Sequence, residues 1–186
     1  NGTHTPLPEK AFRGMLDPEF FDLGIRIVNH DCRDEANLKF LGYTSTGTKI
    51  RINRLYADAH IKILTGLVES HFMAGVSGGR KAICPGLVGE DSVYLFHSAG
   101  YLDNPSSRDL NLERNPCHDE ALEVASSVGA DFILNVTLNQ DFQVTGYFGG
   151  DIVAAHRAAF ESVKEAVGIP ESGKYDIVVT HAGFVG

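Results

Sequence analysis

Cysteine is scarce in this sequence. The three present, Cys32, Cys84 and Cys117, are odd in number and form no Cys-x-x-Cys pair. That excludes a disulfide framework and a cysteine-based zinc cluster, and it suits a reducing compartment such as the cytoplasm. Long apolar runs are absent: none reaches 18 residues, so no membrane-spanning helix and no membrane partner is expected. Basic residues are few. There are 16 Lys and Arg against 24 Asp and Glu, a net charge of −8 with the histidines neutral. A phosphate backbone wants a basic face, so nucleic acid is disfavoured as a partner. A small anionic substrate is not excluded, because a few local cations and helix N-termini suffice to hold it. Familiar chemical motifs are missing as well. There is no Walker A spacing, no Gly-x-Gly-x-x-Gly and no His-Glu-x-x-His.

What is present is an ordinary globular composition, 43% hydrophobic and 22% charged, over 186 residues, a length that suits one domain. No internal repeat or low-complexity tract divides it. Asn1-Gly-Thr-His4 reads as a strand end and turn, and Tyr175-Asp-Ile-Val-Val-Thr180 as a strand running into the Gly-rich Ala182-Gly-Phe-Val-Gly186. We therefore expect residues 1–186 to form a single cofactor-binding and catalytic domain that is a fragment of a longer chain, with preceding strands and a C-terminal domain lying outside it.

A short helix is predicted over Pro8–Leu16. Strands are predicted over Leu23–Val28, Leu38–Tyr43, Thr48–Asn53 and His60–Glu69, the second and third joined as a hairpin around Ser45-Thr-Gly47. In the last of these, Ile61, Ile63, Leu64 and Val68 are expected to be buried. Asp91 or Ser92 is expected to cap a helix through Val93–His97. Asn115, with Pro116 just inside and Asp119-Glu120 in the first turn, marks a helix that Gly129 ends, with Leu122, Ala125 and Val128 as its buried stripe. Asp131–Leu138 and Phe142–Phe148 read as a second hairpin. Asp151 caps a final helix that buries Ile152, Ala155, Ala159 and Val163, with Gly168 at its end. Strands alternating with helices, interrupted by hairpins, imply an α/β fold: a three-layer, Rossmann-like domain with a mixed, mostly parallel sheet.

The most informative segment runs from Gly66 to His97. It gathers His71, Lys81 and His97 around Val76-Ser-Gly-Gly-Arg-Lys81. Glycines let backbone N–H groups converge on an anion, and a neighbouring cation adds charge. Ser77, Gly78, Gly79 and Lys81 are therefore candidates for holding a phosphorylated cofactor. A tight strand-to-helix turn with solvated Arg80 and Lys81 accounts for the same residues about equally well. His97 is either a core histidine bonded to a carbonyl or a metal ligand. His71 and His4 each follow a predicted strand end, where α/β sheets gather ligands, and two such imidazoles can supply paired acid and base groups. The other histidines carry less: His30 lies in a polar turn, His60 opens a strand, His118 and His156 fall on helices near solvent, and His181 follows the last strand. Cys84 reads as a small buried residue. A zinc hydrolase built on His4, His71 and His97 has no supporting spacing.

Together these residues resemble the lactate racemase family. Gly2-Thr-His-Thr-Pro6 is similar to the family's Gly-x-His-Arg-Pro, with Thr5 where the family carries Arg. Glu69-Ser-His-Phe-Met-Ala-Gly-Val-Ser-Gly-Gly-Arg-Lys-Ala-Ile-Cys-Pro-Gly86 is similar to its most specific motif, and His97 follows Lys81 by 16 residues, as in the family. Asn135-Val, Gly149-Gly-Asp151 and Ala155-His-Arg157 resemble later landmarks. The resemblance implies a nickel-pincer nucleotide, a pyridinium thioamide/thiocarboxylate mononucleotide carrying nickel, tethered to Lys81. It implies that His97 is the protein ligand to nickel and that His4 and His71 are the acid/base pair. The implied reaction is racemisation or epimerisation of a lactate-like 2-hydroxy acid. One histidine takes the hydroxyl proton while the C2 hydride moves to the cofactor, and the planar 2-oxo acid takes the hydride back on its other face. Cofactor-assembly proteins are implied partners, and the fragment alone is expected to be inactive. The alternative is a non-catalytic nucleotide- or phosphate-binding domain of the same fold.

Overall fold

The computed structural model describes residues 2–168 together with Gly173, Asp176, Ile177 and Val179. The strand expected at Tyr175–Thr180, the loop at Ala182–Gly186 and His181 fall wholly or largely outside these residues. Helix α1 (Glu9–Met15) and the single turn α2 (Glu19–Asp22) open the chain. The strand expected at Leu23–Val28 does not form. Gly24 turns the chain at a φ of 65°, and Leu23, Ile25 and Val28 stay exposed with no ladder. Ile25 and Val28 are β-branched and fit a pleated surface, but a strand also needs a partner to hydrogen-bond.

The expected hairpin is present. Strand β1 (Leu38–Tyr43) pairs antiparallel with β2 (Lys49–Asn53), with a bulge between Phe40 and Gly42. Alternation along β2 buries Ile50 and Ile52 and turns Lys49 out. Asn53 then caps the short α3 (Arg54–Ala57) by accepting from the Leu55 and Tyr56 N–H groups.

The central sheet holds β3 (Ile63–Leu67), β6 (Phe132–Leu138) and β7 (Val144–Gly150), in the order β3-β6-β7. The β3–β6 pair is parallel and the β6–β7 hairpin antiparallel. Between β3 and β6 the chain crosses over through the two-residue strands β4 (Ser70–His71) and β5 (Gly75–Val76) and a 3-10 turn, Gly79–Ala82. Helices α4 (Glu90–Phe96), α5 (Ala99–Leu102) and α6 (Pro116–Val128) complete the crossover. Helix α7 (Ile152–Val167) returns along the sheet. The sheet is mixed, as expected, but not mostly parallel.

Nor do three layers form among the described residues. Ile133, Asn135 and Thr137 point to the buried face, while Ile63, Phe132, Leu134 and Tyr147 remain exposed on the other. The same face explains a second correction: Ile61 and Ile63, expected in the core, are 72% and 59% exposed, whereas Leu64 and Val68 are buried.

The core lies between the sheet, the hairpin and the crossover helices. Ile50, Ile52, Leu64, Ile83, Phe96, Val124 and Ile133 pack with the three cysteines, all of which are free thiols. A smaller cluster joins Val68 and Val76 to Ala159, Phe160 and Val163 of α7. Helix caps follow the sequence where polar side chains are free to make them. The Asn115 side chain accepts from Cys117 and His118, and Asp151 accepts from Val153 and Ala154. Neither Asp91 nor Ser92 caps α4. Gly89 does so in an extended conformation, because Asp91 is paired with Arg51 at 3.0 Å and Ser92 donates to the Lys49 carbonyl. The buried stripe of α6 is Cys117, Ala121, Val124 and Ala125, with Leu122 rotated to the helix flank.

Candidate active site at the end of strand β3

Strand β3 ends at Leu67, and the chain is bent there by Ser77. The Ser77 hydroxyl donates to the Leu67 carbonyl at 2.9 Å and accepts from the Glu69 N–H at 3.0 Å. Ser77 N–H also donates to the Glu69 carbonyl. Gly78 and Gly79 follow with φ of 73° and 53°, the left-handed region that glycine enters at little cost. An ideal Cβ on Gly78 meets Val68 and the Leu67 carbonyl at 2.6 and 2.9 Å, and one on Gly79 meets the His156 ring at 2.5 Å. The Gly79 N–H donates to the Asn135 side-chain oxygen at 2.9 Å. In this arrangement Ser77, Gly78 and Gly79 are engaged within the protein, and what they build is the turn that presents Arg80 and Lys81.

Arg80 is not solvated. It is 1% exposed, and its Nη2 donates to the Ala74 and Val76 carbonyls. Its Nη1 lies 2.8 Å from His156 Nε2, which is also 2.9 Å from the Ser77 carbonyl. Burial pulls the guanidinium down to about 10. His156, placed near solvent by the sequence reading, is 3% exposed, and His118 is also largely buried. Burial first, then the charge of Arg80, takes His156 to about 4 and His118 to about 3. His30 is likewise buried, bonded to Asn53 and to the Val88 carbonyl rather than sitting in an open polar turn.

Lys81 is half-buried. Burial and the neighbouring Arg80 charge lower its ammonium to about 8. Its Nζ stands 5.7 Å from the centroid of the Phe96 ring, and the His97 ring meets the same phenyl edge-on at 5.1 Å. Phe96 thus lies against both candidate side chains. His97 is the C-cap of α4, with an exposed side chain. Its Nδ1 is 2.8 Å from the Val93 carbonyl. Donation there fixes the neutral tautomer and leaves the Nε2 lone pair for a ligand.

His71 sits in the β4–β5 hairpin, opposite Gly75. Its Nδ1 accepts from the Met73 and Ala74 N–H groups at 3.4 and 3.2 Å. Burial, then the charges of Lys81, Arg80 and His97, lower its imidazole to about 4. Lys81 and His97 are therefore close enough to His71 to act on it electrically. The ring is neutral near pH 7, and with Nδ1 accepting, its proton is on Nε2.

His4 is exposed. The preceding Gly2 packs beside the Pro85 carbonyl and Val93, and its own carbonyl accepts from Cys32. That places the His4 segment beside the helix whose end carries His97. Cys84 is buried in the core, with its thiol pushed up to about 12 by burial. Among the described residues no group of three or more His, Cys, Asp or Glu side chains is placed to hold a metal, so a three-histidine zinc centre is not formed. Among the described residues no helix is long and apolar enough to cross a membrane.

The roles of Asn135 and His156 in holding the turn were not expected from the sequence, although both lie in segments that resemble family landmarks. Both carried a signal: Asn135 is on the inward phase of β6 with Ile133 and Thr137, and His156 follows Ala155 on the buried phase of α7.

The Ser-Gly-Gly-Arg turn at the end of a parallel strand thus brings Lys81 near His71 and His97. The chain belongs to the lactate racemase family, and residues 1–109 match the lactate racemase N-terminal domain. Over 182 residues it is 32% identical to a lactate racemase of Lactiplantibacillus plantarum, covering 98% of this chain and 42% of that protein. It is 34% identical over 158 residues to the lactate racemase of Thermoanaerobacterium thermosaccharolyticum, covering 85% of this chain and 37% of that one. The solved lactate racemase apoprotein from T. thermosaccharolyticum superposes with a TM-score of 0.84 at 31% identity, over 88% of this chain and 39% of that chain. The chain thus spans about two fifths of the length of the curated relatives it matches.

Proposed function

We propose that this chain is the cofactor-binding and acid/base portion of a racemase or epimerase of 2-hydroxy acids. The carrying observation is the convergence of Lys81, His71 and His97 at one end of β3. Lys81 is the anchor for a nickel-pincer nucleotide. An amine lowered to about 8 is in part unprotonated near neutral pH, and only that form can be acylated. His97 is the nickel ligand, because its Nδ1–H is held by Val93 and its Nε2 is turned outward as a donor. When bound, the group supplies the hydride acceptor; the protein holds the substrate and moves the proton.

His71 meets the substrate oxygen first as an Nε2–H donor. Taking a proton there requires the other tautomer, at the cost of two long backbone hydrogen bonds, 3.2 and 3.4 Å, which are weak ones to give up. His4 is the second acid/base group on the facing side. Ser77, Gly78 and Gly79 serve the cofactor by fixing the turn that aims Lys81. The alternative of a non-catalytic phosphate-binding domain draws on glycine-loop donors, and here the Gly79 N–H and the Ser77 hydroxyl are already bonded within the protein.

The test is co-expression of the full-length protein with cofactor-assembly proteins, followed by intact mass spectrometry and nickel analysis. Lys81→Ala is expected to lose the adduct and the metal. His97→Ala is expected to lose nickel and keep the adduct. An adduct retained at full occupancy in Lys81→Ala overturns the assignment.

A further inference from the structure

We infer that the cleft between the 108–114 loop, helix α6 and helix α7 is a second binding site, for a small organic carboxylate. The cleft measures about 670 Å³ and shares no lining residue with Lys81, His71 or His97. Its buried charge is Arg80, which is 1% exposed and forms no ion pair among the described residues. The guanidinium is satisfied only by two carbonyls and a neutral histidine, and its Nε has no partner. His118, on the same cleft, holds a buried Nδ1 that also has no partner. A buried cation with no carboxylate bonded to it is costly; Asp119 on the same cleft acts on it only without an ion-pair contact, and an anion from outside supplies the direct one.

The rest of the lining selects the kind of anion. Leu122, Ile152 and Phe160 give an apolar wall large enough for a carbon skeleton. Asp109, Glu113, Asp119 and Glu161 share the lining with the basic residues and offset most of their charge, which disfavours a polyanion and suits a single carboxylate. The loop that closes the cleft is held in a sparsely populated conformation. Leu110 and Arg114 have φ of 51° and 52°, and strain at non-glycine residues concentrates at ligand sites. This inference is independent of the role given to Lys81.

The test is titration of this chain with 3-phenylpropionate, read by calorimetry and by amide chemical shifts. The comparators are uncharged 3-phenylpropanol and inorganic phosphate. Arg80 is too deeply buried for its substitution to be a clean probe, so Leu122→Glu is used to set a negative charge on the half-buried wall. A thermal melt checks its fold. Saturable binding is expected, weaker by about tenfold or more for the alcohol, for phosphate and in the Leu122→Glu variant. Lys81→Ala is expected to leave the affinity unchanged. Absence of saturation, equal binding of the alcohol or of phosphate, or full affinity in Leu122→Glu overturns the inference. So does loss of binding in Lys81→Ala, which would move the carboxylate to the other site.

Discussion

Replacing Gly79 with Ala tests the turn that presents Lys81. The new Cβ meets His156 Cδ2, Cγ and Cβ at 2.5, 2.6 and 3.0 Å, all inside the closest real contacts. His156 has little room to yield, because it is 3% exposed on α7 and its Nε2 is 2.9 Å from the Ser77 carbonyl. Overpacking of this kind costs about 1–3 kcal/mol. Gly79 also has a φ of 53°, and an L-residue there adds about 1–2 kcal/mol. A stiffer unfolded chain returns roughly 0.5 kcal/mol. The net expectation is a loss of about 2–4 kcal/mol, a fall in Tm of roughly 5–15 °C for a chain of this size. Urea unfolding and thermal melts of Gly79→Ala, His156→Ala and the double variant measure it. Removing the ring clears space for the methyl, so the double variant should be more stable than the sum of the singles by about 1–3 kcal/mol, leaving the φ cost behind. A Gly79→Ala variant within about 0.5 kcal/mol of the parent, or strict additivity in the double variant, refutes the packing described here.

Acidification should destabilise the fold before its carboxylates titrate. His71 and His156 stand at about 4 and His118 at about 3, chiefly through burial, against 6.5 when unfolded, so the unfolded chain binds more protons below pH 6.5. Their stability is fully present above that pH and falls by about 1.4 kcal/mol per pH unit per group toward their folded values. Urea unfolding at pH 7 and 5.5 should differ by roughly 2–4 kcal/mol, and a flat or rising profile contradicts it. Lys81 should react with acetic anhydride with a midpoint near pH 8, measured by peptide mass spectrometry; a midpoint at the free-lysine value of about 10.4 argues against its burial. Asn115→Ala removes the α6 cap and the donors to the Met73 and Asn111 carbonyls. A loss of about 2–4 kcal/mol by thermal melt is expected, and a change under about 0.5 kcal/mol contradicts the double role.

Local patterns were legible in the amino-acid order. The two hairpins, the Asn115 and Asp151 caps and the Gly129 stop all depend on residues within a few positions of one another, so propensity and spacing determined them. The run from Glu69 to Gly86 with His97 likewise carried the resemblance to the lactate racemase family. What sequence could not supply was neighbours distant along the chain. Leu23–Val28 has strand-like residues and no partner to pair with, and Ile61 and Ile63 have core-like residues on an uncovered face. Arg80 and His156 carried the opposite surprise. A charged and a polar side chain sit deeper than most of the apolar ones, because the Ala74, Val76 and Ser77 carbonyls of one segment converge on Arg80 and on His156, a helix residue 76 positions away from it. The lowered amine of Lys81 and its contact with Phe96 follow from that packing. Burial and hydrogen bonding, which set protonation states, are properties of the assembled core, and only the tertiary structure decided them.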